Sequence, residues 1–189
     1  MLAAFSFLAV RGLFTRQLYG AAMTPVFLTI DTEIAWRHHR AGLDPAIVEA
    51  RSIEPAGVGL AWQLGVLAQH RLKATFFVDP MPARVYGLDL FRRIVDAILA
   101  AGQEVQLHLH PNWTEASLTN REAHGSFEII DLSADAQRDL LGEAASLLMA
   151  AGAPRPVAFR AGSYSANDDT LAGLAALLIV ATIPMFLNA

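Results

Sequence analysis

The sequence of 189 residues contains no cysteine. Disulfide bonds, thiolate metal sites and cysteine nucleophiles are therefore excluded, and any bound metal has to be held by His, Asp or Glu. A basic excess is also lacking, because 14 Lys and Arg residues stand against 18 Asp and Glu residues, for a net charge of −4. Such a chain gains little from a phosphate backbone, so nucleic acid is not an expected partner.

Two apolar stretches lack the flanking charges of membrane elements. Residues 2–10 have no positive charge before them, because Arg11 and Arg16 follow, so they make a poor signal peptide. Residues 170–189 carry no charge and are long enough to span a bilayer, but Pro184 interrupts them and no charged flank is present. We therefore expect no stable membrane span and a cytoplasmic location.

Short β-rich runs alternate with longer helical patterns from residue 25 onward. Strands are predicted at residues 26–31, 74–78, 104–108, 156–160 and 178–183, and helices at 57–70, 90–101, 134–151 and 168–177. This alternation is typical of an α/β domain with parallel strands and crossover helices. Candidate helix N-caps are Asp89, Ser133 and Asn167, and candidate left-handed C-terminal residues are Gly102 and Gly152.

Charged side chains cluster where three of these strands end. Successive strand residues point to opposite faces, so Asp31 and Glu33 share one face, and His108 and His110 share one face of another strand. Arg160 ends a third strand. Two carboxylates, two imidazoles and a guanidinium at one end of a parallel sheet suit a divalent-metal hydrolase with a carboxylate base. Taken singly, the acids could be solvated and Arg160 could form an ordinary ion pair. His38, His39, His70 and His124 are left outside this site.

Four ordered segments carry a specific resemblance. They are Leu28-Thr29-Ile30-Asp31-Thr32-Glu33, Ala74-Thr75-Phe76-Phe77-Val78, the stretch 102–111 that ends in His108-Leu109-His110-Pro111, and Phe159-Arg160-Ala161-Gly162-Ser163-Tyr164. Together they resemble the successive motifs of the polysaccharide deacetylases, the NodB-homology domains of carbohydrate esterase family four. The resemblance runs from about residue 25 to residue 177.

The resemblance implies a deformed (β/α)7 barrel, here incomplete, with about five of the seven strands present. It also implies a divalent metal, commonly zinc, that activates water to hydrolyse N-acetyl groups on a polysaccharide or other glycan. In that scheme Asp31 is the base, Arg160 orients it, and Glu33 and the paired histidines hold the metal. The family's usual His-x-x-x-His becomes His108-Leu109-His110 here, with Asn112 at the position of the family's second histidine. The second of these two metal ligands is therefore either His110 or Asn112.

Three aromatic residues follow the motifs closely enough to line a sugar-binding groove. They are Trp36, Trp113 and Tyr164. Packing in the core is an equal alternative for them, because large aromatic rings serve both purposes. With Asn112, they form the predicted substrate-binding set.

The family's later motifs, an Asp/Trp motif and a Leu-x-His motif whose histidine protonates the leaving amine, have no match after Tyr164. Residues 1–22 are interpreted as an N-terminal extension or a mis-assigned start, 23–177 as a partial deacetylase domain, and 178–189 as an apolar tail. With one choice of codons for Ala181 to Met185, the same bases read two positions later encode Tyr-Asp-Thr-Asn, which resembles the peptide that the family carries at this point. A frameshift near Leu177 is therefore one hypothesis.

Three functions remain open from the sequence. The first is a de-N-acetylase that acts on a glycan. The second is an inactive product of truncation, or a remnant that binds metal or sugar without catalysis, because a barrel lacking strands leaves an unpaired edge and an exposed core. The third keeps the metal but acts on another amide or an ester.

Overall fold

The computed structural model describes residues 26–122 and 128–179 in full, together with the backbone of residues 181–182 and 186–187. The predicted N-terminal extension, His124 and most of the predicted tail lie outside the described residues. Among the helices that the structure describes, none combines the length and apolar character needed to cross a bilayer.

Strands and helices alternate along the chain. The strands are β1 (Leu28–Thr32), β2 (Ala74–Val78), β3 (Glu104–Leu109), β4 (Ala158–Ala161), β5 (Ser165–Ala166), β6 (Ala181–Thr182) and β7 (Phe186–Leu187). The α-helices are α1 (Trp36–Arg40), α2 (Pro45–Ile53), α3 (Leu60–His70), α4 (Ala83–Tyr86), α5 (Leu88–Ala100), α6 (Ala134–Ala150) and α7 (Asp168–Ala176).

Five strands form one parallel sheet in the order β1-β2-β3-β4-β6, and β5 pairs with β7 in a separate two-stranded ribbon. Each new strand of the large sheet is added on the same side as the chain advances, as in a singly wound barrel. The sheet is curled into half a barrel. The predicted fold class, an incomplete (β/α) barrel with about five strands, is therefore confirmed.

The hydrophobic core lies between the outer face of the sheet and the helices that cover it. On β3, Val105, Leu107 and Leu109 are at most 3% exposed and pack in this layer. Helix α5 buries Leu90, Phe91, Ile94, Val95 and Ile98, a spacing of three and four residues that forms one apolar stripe. Because the aliphatic residues of β3 face this layer, the alternate residues of the strand are directed to the inside of the half-barrel.

The predicted strands agree closely with the observed ones. Strand β2 has the predicted bounds, and β3 and β4 are displaced by one or two residues. Strand β1 begins at Leu28 because the pairing with β2 begins there, while Val26 and Phe27 precede that pairing and are 81% and 68% exposed. Within the fifth predicted strand, Ala181 and Thr182 pair with β4.

Four of the five predicted helix-end residues have the expected role. The Ser133 hydroxyl accepts a hydrogen bond from the Ala136 amide, and Asn167 forms a reciprocal capping box with Thr170. Gly102 and Gly152 have φ values of +68° and +103°, in the region that glycine reaches without a steric penalty. These ends could be predicted because the signals are local.

The fifth, Asp89, was predicted to be an N-cap, and this was wrong. Helix α5 begins earlier, at Leu88, with Gly87 before it at φ +81°. Asp89 therefore lies in the first turn, where it pairs with Arg92 at 2.7 Å. A carboxylate in this turn still interacts favourably with the helix dipole.

Helices α1, α2 and α4 lie in segments for which the sequence predicts no helix. Helix α2 does carry a local signal, because Asp44 accepts a hydrogen bond from the Ala46 amide and Pro45 is the first helical residue. Helix α1 has only five residues and no side-chain cap. Its one fully buried side chain is His39, so tertiary packing rather than propensity stabilises it.

Candidate active site

Side chains from four neighbouring strands, polar on three of them, face the same side of the sheet. The strand register places Asp31 beside Phe77, and Phe77 beside Gln106. It also places His108 beside Arg160. Register partners in a parallel sheet point to the same side, so these side chains line the inside of the half-barrel. Strand alternation predicted a shared face for the charged residues of each strand, and in the structure that face is the inside of the half-barrel.

Glu33, His108 and His110 converge on one point. Nε2 of His110 lies 2.7 Å from Oε2 of Glu33, and Nε2 of His108 lies 3.3 Å from the same oxygen. One ligand atom from each residue lies within 4.8 Å of the other two. Among the described residues, this buried oxygen has no well-directed hydrogen bond. The two Nε2 atoms and the carboxylate oxygen converge on one point without forming well-directed hydrogen bonds. This arrangement of nitrogen and oxygen atoms suits a divalent cation.

The orientation of His108 is set by a backbone carbonyl. Its Nδ1 lies 2.7 Å from the carbonyl oxygen of Arg160. Because a carbonyl can only accept, Nδ1 carries the proton and Nε2 keeps its lone pair for a cation. The side chain is 4% exposed, so this tautomer is also protected from water. Metal-binding histidines are commonly oriented by such a second hydrogen bond.

His110 is held by Glu33 on one side and by a glycine on the other. Burial lowers the pKa of His110, but the contact with Glu33 and the charges of Asp79, Glu33 and Asp31 outweigh it, and the pKa is raised. For Glu33 the effects have the opposite signs. Burial raises its pKa, but the contacts with His108 and His110 outweigh burial and hold the pKa well below its usual range. A Cβ on Gly162 would lie 2.6 Å from Cε1 of His110, so the ring needs a glycine there.

Asp31 and Arg160 form an ion pair beside the three converging residues. The Arg160 guanidinium donates to Oδ1 of Asp31 through one nitrogen and to the Thr29 hydroxyl, at 2.6 Å, through another. Its Cζ lies 4.4 Å from the centroid of the Phe77 ring. The Arg160 side chain is 5% exposed, whereas that of Asp31 is 32% exposed. A fixed cation thus orients a carboxylate that solvent and substrate can reach.

Asp79 is a further acid at the site that was not predicted. It follows β2, is fully buried, and its Oδ1 accepts a hydrogen bond from the Met81 amide at 3.0 Å. Burial raises the pKa of Asp79 from 3.8 to about 6, while the charges of His110 and His108 act in the opposite direction. A signal was present in the sequence, because Asp79 has the same strand parity as Phe77 and directly follows a correctly predicted strand.

Two of the predicted sugar-binding aromatics belong to an aromatic cluster with His39. Trp113 is only 1% exposed and its ring contacts Trp36 edge-on, with centroids 4.8 Å apart. His39 packs against both rings, and its Nδ1 lies 2.7 Å from the Tyr86 hydroxyl. Trp113 therefore packs in the core, which is one of the two alternatives that the sequence left open for it. Trp36 is partly buried at the edge of this cluster.

Tyr164 and Asn112 occupy different environments. Tyr164 is 40% exposed and lies just after β4, in a turn where its φ is +56°. Asn112 is 7% exposed, in the turn that follows His110. Its Oδ1 has no hydrogen-bond partner within the described part of the chain. Of the two alternative ligands, His110 is the one in contact with Glu33.

Fold and site together define a class: a parallel α/β half-barrel with a candidate metal centre and an Asp–Arg pair at the carboxyl ends of its strands. Comparison with solved structures identifies the fold more closely. A Mycobacterium smegmatis protein assigned to the polysaccharide deacetylases matches with a TM-score of 0.57 at 22% identity, covering 88% of this chain and 55% of that one. The chain therefore has the fold that its four motifs predicted.

Two further structures support this fold. A family 4 carbohydrate esterase from Streptomyces lividans, solved with acetate, matches with a TM-score of 0.51 at 19% identity, covering 84% of this chain and 61% of that one. A CE4 family pseudoenzyme from Bacillus anthracis matches with a TM-score of 0.51 at 21% identity, covering 82% and 41%. The chain thus spans about half the length of these structures. No family model matches the sequence, and no curated protein matches it.

Proposed function

We propose that this chain carries the metal-binding part of a polysaccharide deacetylase active site, which removes N-acetyl groups from a glycan. The observation that supports the proposal most directly is the convergence of Glu33, His108 and His110 beside the Asp31–Arg160 pair. A hydrolase of this kind needs nitrogen and oxygen ligands, a carboxylate base and a cation that fixes the base. All three come from strands β1, β3 and β4 of one half-barrel, or from the residues that directly follow them.

Glu33, His108 and His110 are the proposed metal ligands, and Zn²⁺ is the proposed metal because it accepts imidazole nitrogen and carboxylate oxygen in tetrahedral sites. When bound, such a cation supplies Lewis-acid activation of a water molecule. His108 is prepared for this role by its Nδ1 contact with a carbonyl, which fixes the free lone pair on Nε2.

Asp31 is the proposed general base. Its carboxylate is partly open to solvent and is held by Arg160, so it can accept the proton of an attacking water without changing its own orientation. Arg160 acts through Asp31 and is a positioning residue. Its contact with Thr29 fixes the guanidinium from a second direction, so the pair keeps one geometry.

An N-acetylated glycan is the proposed substrate, and three observations support it. The four sequence motifs resemble those of the deacetylases, the fold is theirs, and the Streptomyces lividans esterase was solved in complex with acetate. Tyr164, exposed beside β4, and Trp36 are the proposed aromatic surfaces for a sugar ring. Hydrolysis of another amide or of an ester would use the same residues in the same roles. Only a comparison of substrates distinguishes it from deacetylation of a glycan.

A second candidate function is binding of metal and glycan without hydrolysis. It is favoured by one observation, the similarity to the Bacillus anthracis CE4 pseudoenzyme. The two candidates share the metal site but differ in turnover.

The deciding experiment measures acetate release from an N-acetylglucosamine oligosaccharide by the purified chain, with added Zn²⁺ or with a chelator. We expect release with Zn²⁺ that is lost with the chelator and lost in Asp31→Asn. The matched control is Asp96→Asn, the same change on the exposed side of α5, which should leave release unchanged. Zn²⁺ binding without release would support the second candidate, and a wild-type chain that binds no Zn²⁺ would contradict both.

A further inference from the structure

The strand register places Asp79 between two of the candidate metal ligands. On one side, Thr32 pairs with Val78, so the next residues along the two strands are Glu33 and Asp79. On the other side, Val78 pairs with Leu107, so Asp79 is level with His108. Side-chain alternation then directs Asp79 to the inside of the half-barrel, like Glu33 and His108.

Only one oxygen of the Asp79 carboxyl group has a hydrogen-bond partner among the described residues. Its Oδ1 accepts from the Met81 amide, whereas Oδ2 is buried and accepts no hydrogen bond from any residue that the structure describes. A fully buried acid in this state is costly unless a cation or a donor lies beside it. The side chain interacts electrostatically with both His110 and His108.

The two imidazoles do not supply the missing donor. Nδ1 of His108 donates to the Arg160 carbonyl, and the Nε2 atoms of both histidines face Glu33 instead. The remaining nitrogen of His110, its Nδ1, lies against Gly162. The partner that suits Asp79 is therefore a cation held by the neighbouring ligands, or a water molecule on that cation.

We propose that Asp79 is a fourth member of the candidate metal centre, a buried carboxylate beside the three ligands whose charge stabilises the cation that Glu33, His108 and His110 hold. This inference rests on the proposed metal site and adds a second carboxylate to it. Two carboxylates balance the two positive charges of a divalent cation. Replacing Asp79 with a neutral residue should therefore weaken binding of the cation.

The test is Zn²⁺ affinity, measured by calorimetry on the full chain for wild type, Asp79→Asn, Glu33→Gln and the control Asp96→Asn. We expect Asp79→Asn to weaken Zn²⁺ binding about 10- to 100-fold, as loss of a group that supports a metal site does. Asp96→Asn removes the same charge from an exposed helix position and should bind like wild type.

The outcomes separate this inference from the proposed function. If wild type binds Zn²⁺, Glu33→Gln weakens binding and Asp79→Asn does not, Asp79 is no part of the centre while the metal site stands. If wild type binds no Zn²⁺, the proposed function fails and the inference fails with it. Weakened binding in Asp79→Asn supports the inference whether or not any acetate is released.

A second measurement guards against a folding defect. Thermal melts with and without Zn²⁺ should show a smaller Zn²⁺-induced rise in Tm for Asp79→Asn than for wild type, because a weaker ligand stabilises less. Without Zn²⁺, the variant should remain folded. A variant that cannot fold without Zn²⁺ would show that the fold itself requires this carboxylate, and would overturn the inference.

Discussion

Arg160 on β4 reaches across the inside of the half-barrel to pair with Asp31 on β1. Two strands, β2 and β3, lie between them in the sheet. In a flat sheet three strand spacings amount to roughly 14 Å, which is further than an arginine side chain extends. The contact therefore depends on the curl of the sheet, and the Phe77 ring below the guanidinium fills the space between.

Arg160→Lys should reduce acetate release about 100-fold while changing Zn²⁺ affinity by less than about threefold. Lysine keeps the charge but cannot donate in the fixed fork that contacts both Asp31 and Thr29. Steady-state rates and calorimetry on the same preparations check this. Thr29→Val is the milder comparison, because it removes one of the two contacts. Equal rates for wild type and Arg160→Lys would contradict the positioning role.

Gly162→Ala should weaken Zn²⁺ binding about tenfold or more, because the added Cβ overlaps the His110 ring and displaces that ligand. Gly65→Ala is the matched control, since a Cβ there meets no atom within 4 Å and the site lies within helix α3. That change should leave Zn²⁺ affinity unaltered and stabilise the chain by up to about 1 kcal/mol. Unaltered Zn²⁺ affinity in Gly162→Ala would mean that His110 is not a ligand.

Zn²⁺ affinity should increase as the pH is raised from about 6 to about 8. The pKa of His110 is raised, so in the metal-free protein a proton is retained that the metal has to displace. The pKa of Glu33 is lowered, so this carboxylate is already ionised and adds no pH dependence in that range. Calorimetry in buffers of different ionisation enthalpy should detect proton release, and an affinity that is flat over this range would count against the ligand role of His110.

In the metal-free protein, Asp79 should make stability decline as the pH rises from about 4 to about 6. Its pKa is raised from 3.8 to about 6, so the folded state binds more protons than the unfolded state in this window. Above it, Asp79→Asn should be more stable than wild type by up to about 3 kcal/mol, because it removes a buried charge.

Denaturant unfolding with a chelator at pH 4 and at pH 8 measures this difference. The advantage of Asp79→Asn over wild type should be present at pH 8 and small at pH 4, and Asp96→Asn should show neither. If Asp79→Asn is less stable than wild type at pH 8, the buried Asp79 carboxylate does not destabilise the metal-free protein and the prediction is wrong.

Gln106→Leu should destabilise the fold by about 2–4 kcal/mol. The Gln106 side-chain oxygen accepts from the backbone amides of Val157 and Ala158, both at 2.8 Å, and so joins β3 to the start of β4. Leucine leaves two amides without this acceptor. Denaturant unfolding measures the loss, with the exposed Gln69→Leu on α3 as the control. A loss below about 0.5 kcal/mol would show that solvent replaces the contact.

The parts of the fold that follow from local patterns were predicted from the sequence. The strand β2, the capping of α6 by Ser133 and the left-handed Gly102 each depend on a few neighbouring residues. The shared face of His108 and His110 follows from strand alternation alone. The short helices α1 and α4 could not be found in this way, because contacts distant in sequence stabilise them.

Within the site, the sequence supplied the residues, and the tertiary structure decided how they meet. Alternation placed Asp31 and Arg160 at strand ends, but their contact requires the curl of the sheet. The tautomer of His108, the need for glycine at position 162 and the burial of Trp113 each depend on groups from other strands or loops. Period-two alternation fixes the side to which a residue points, whereas distance, burial and charge depend on which strands become neighbours.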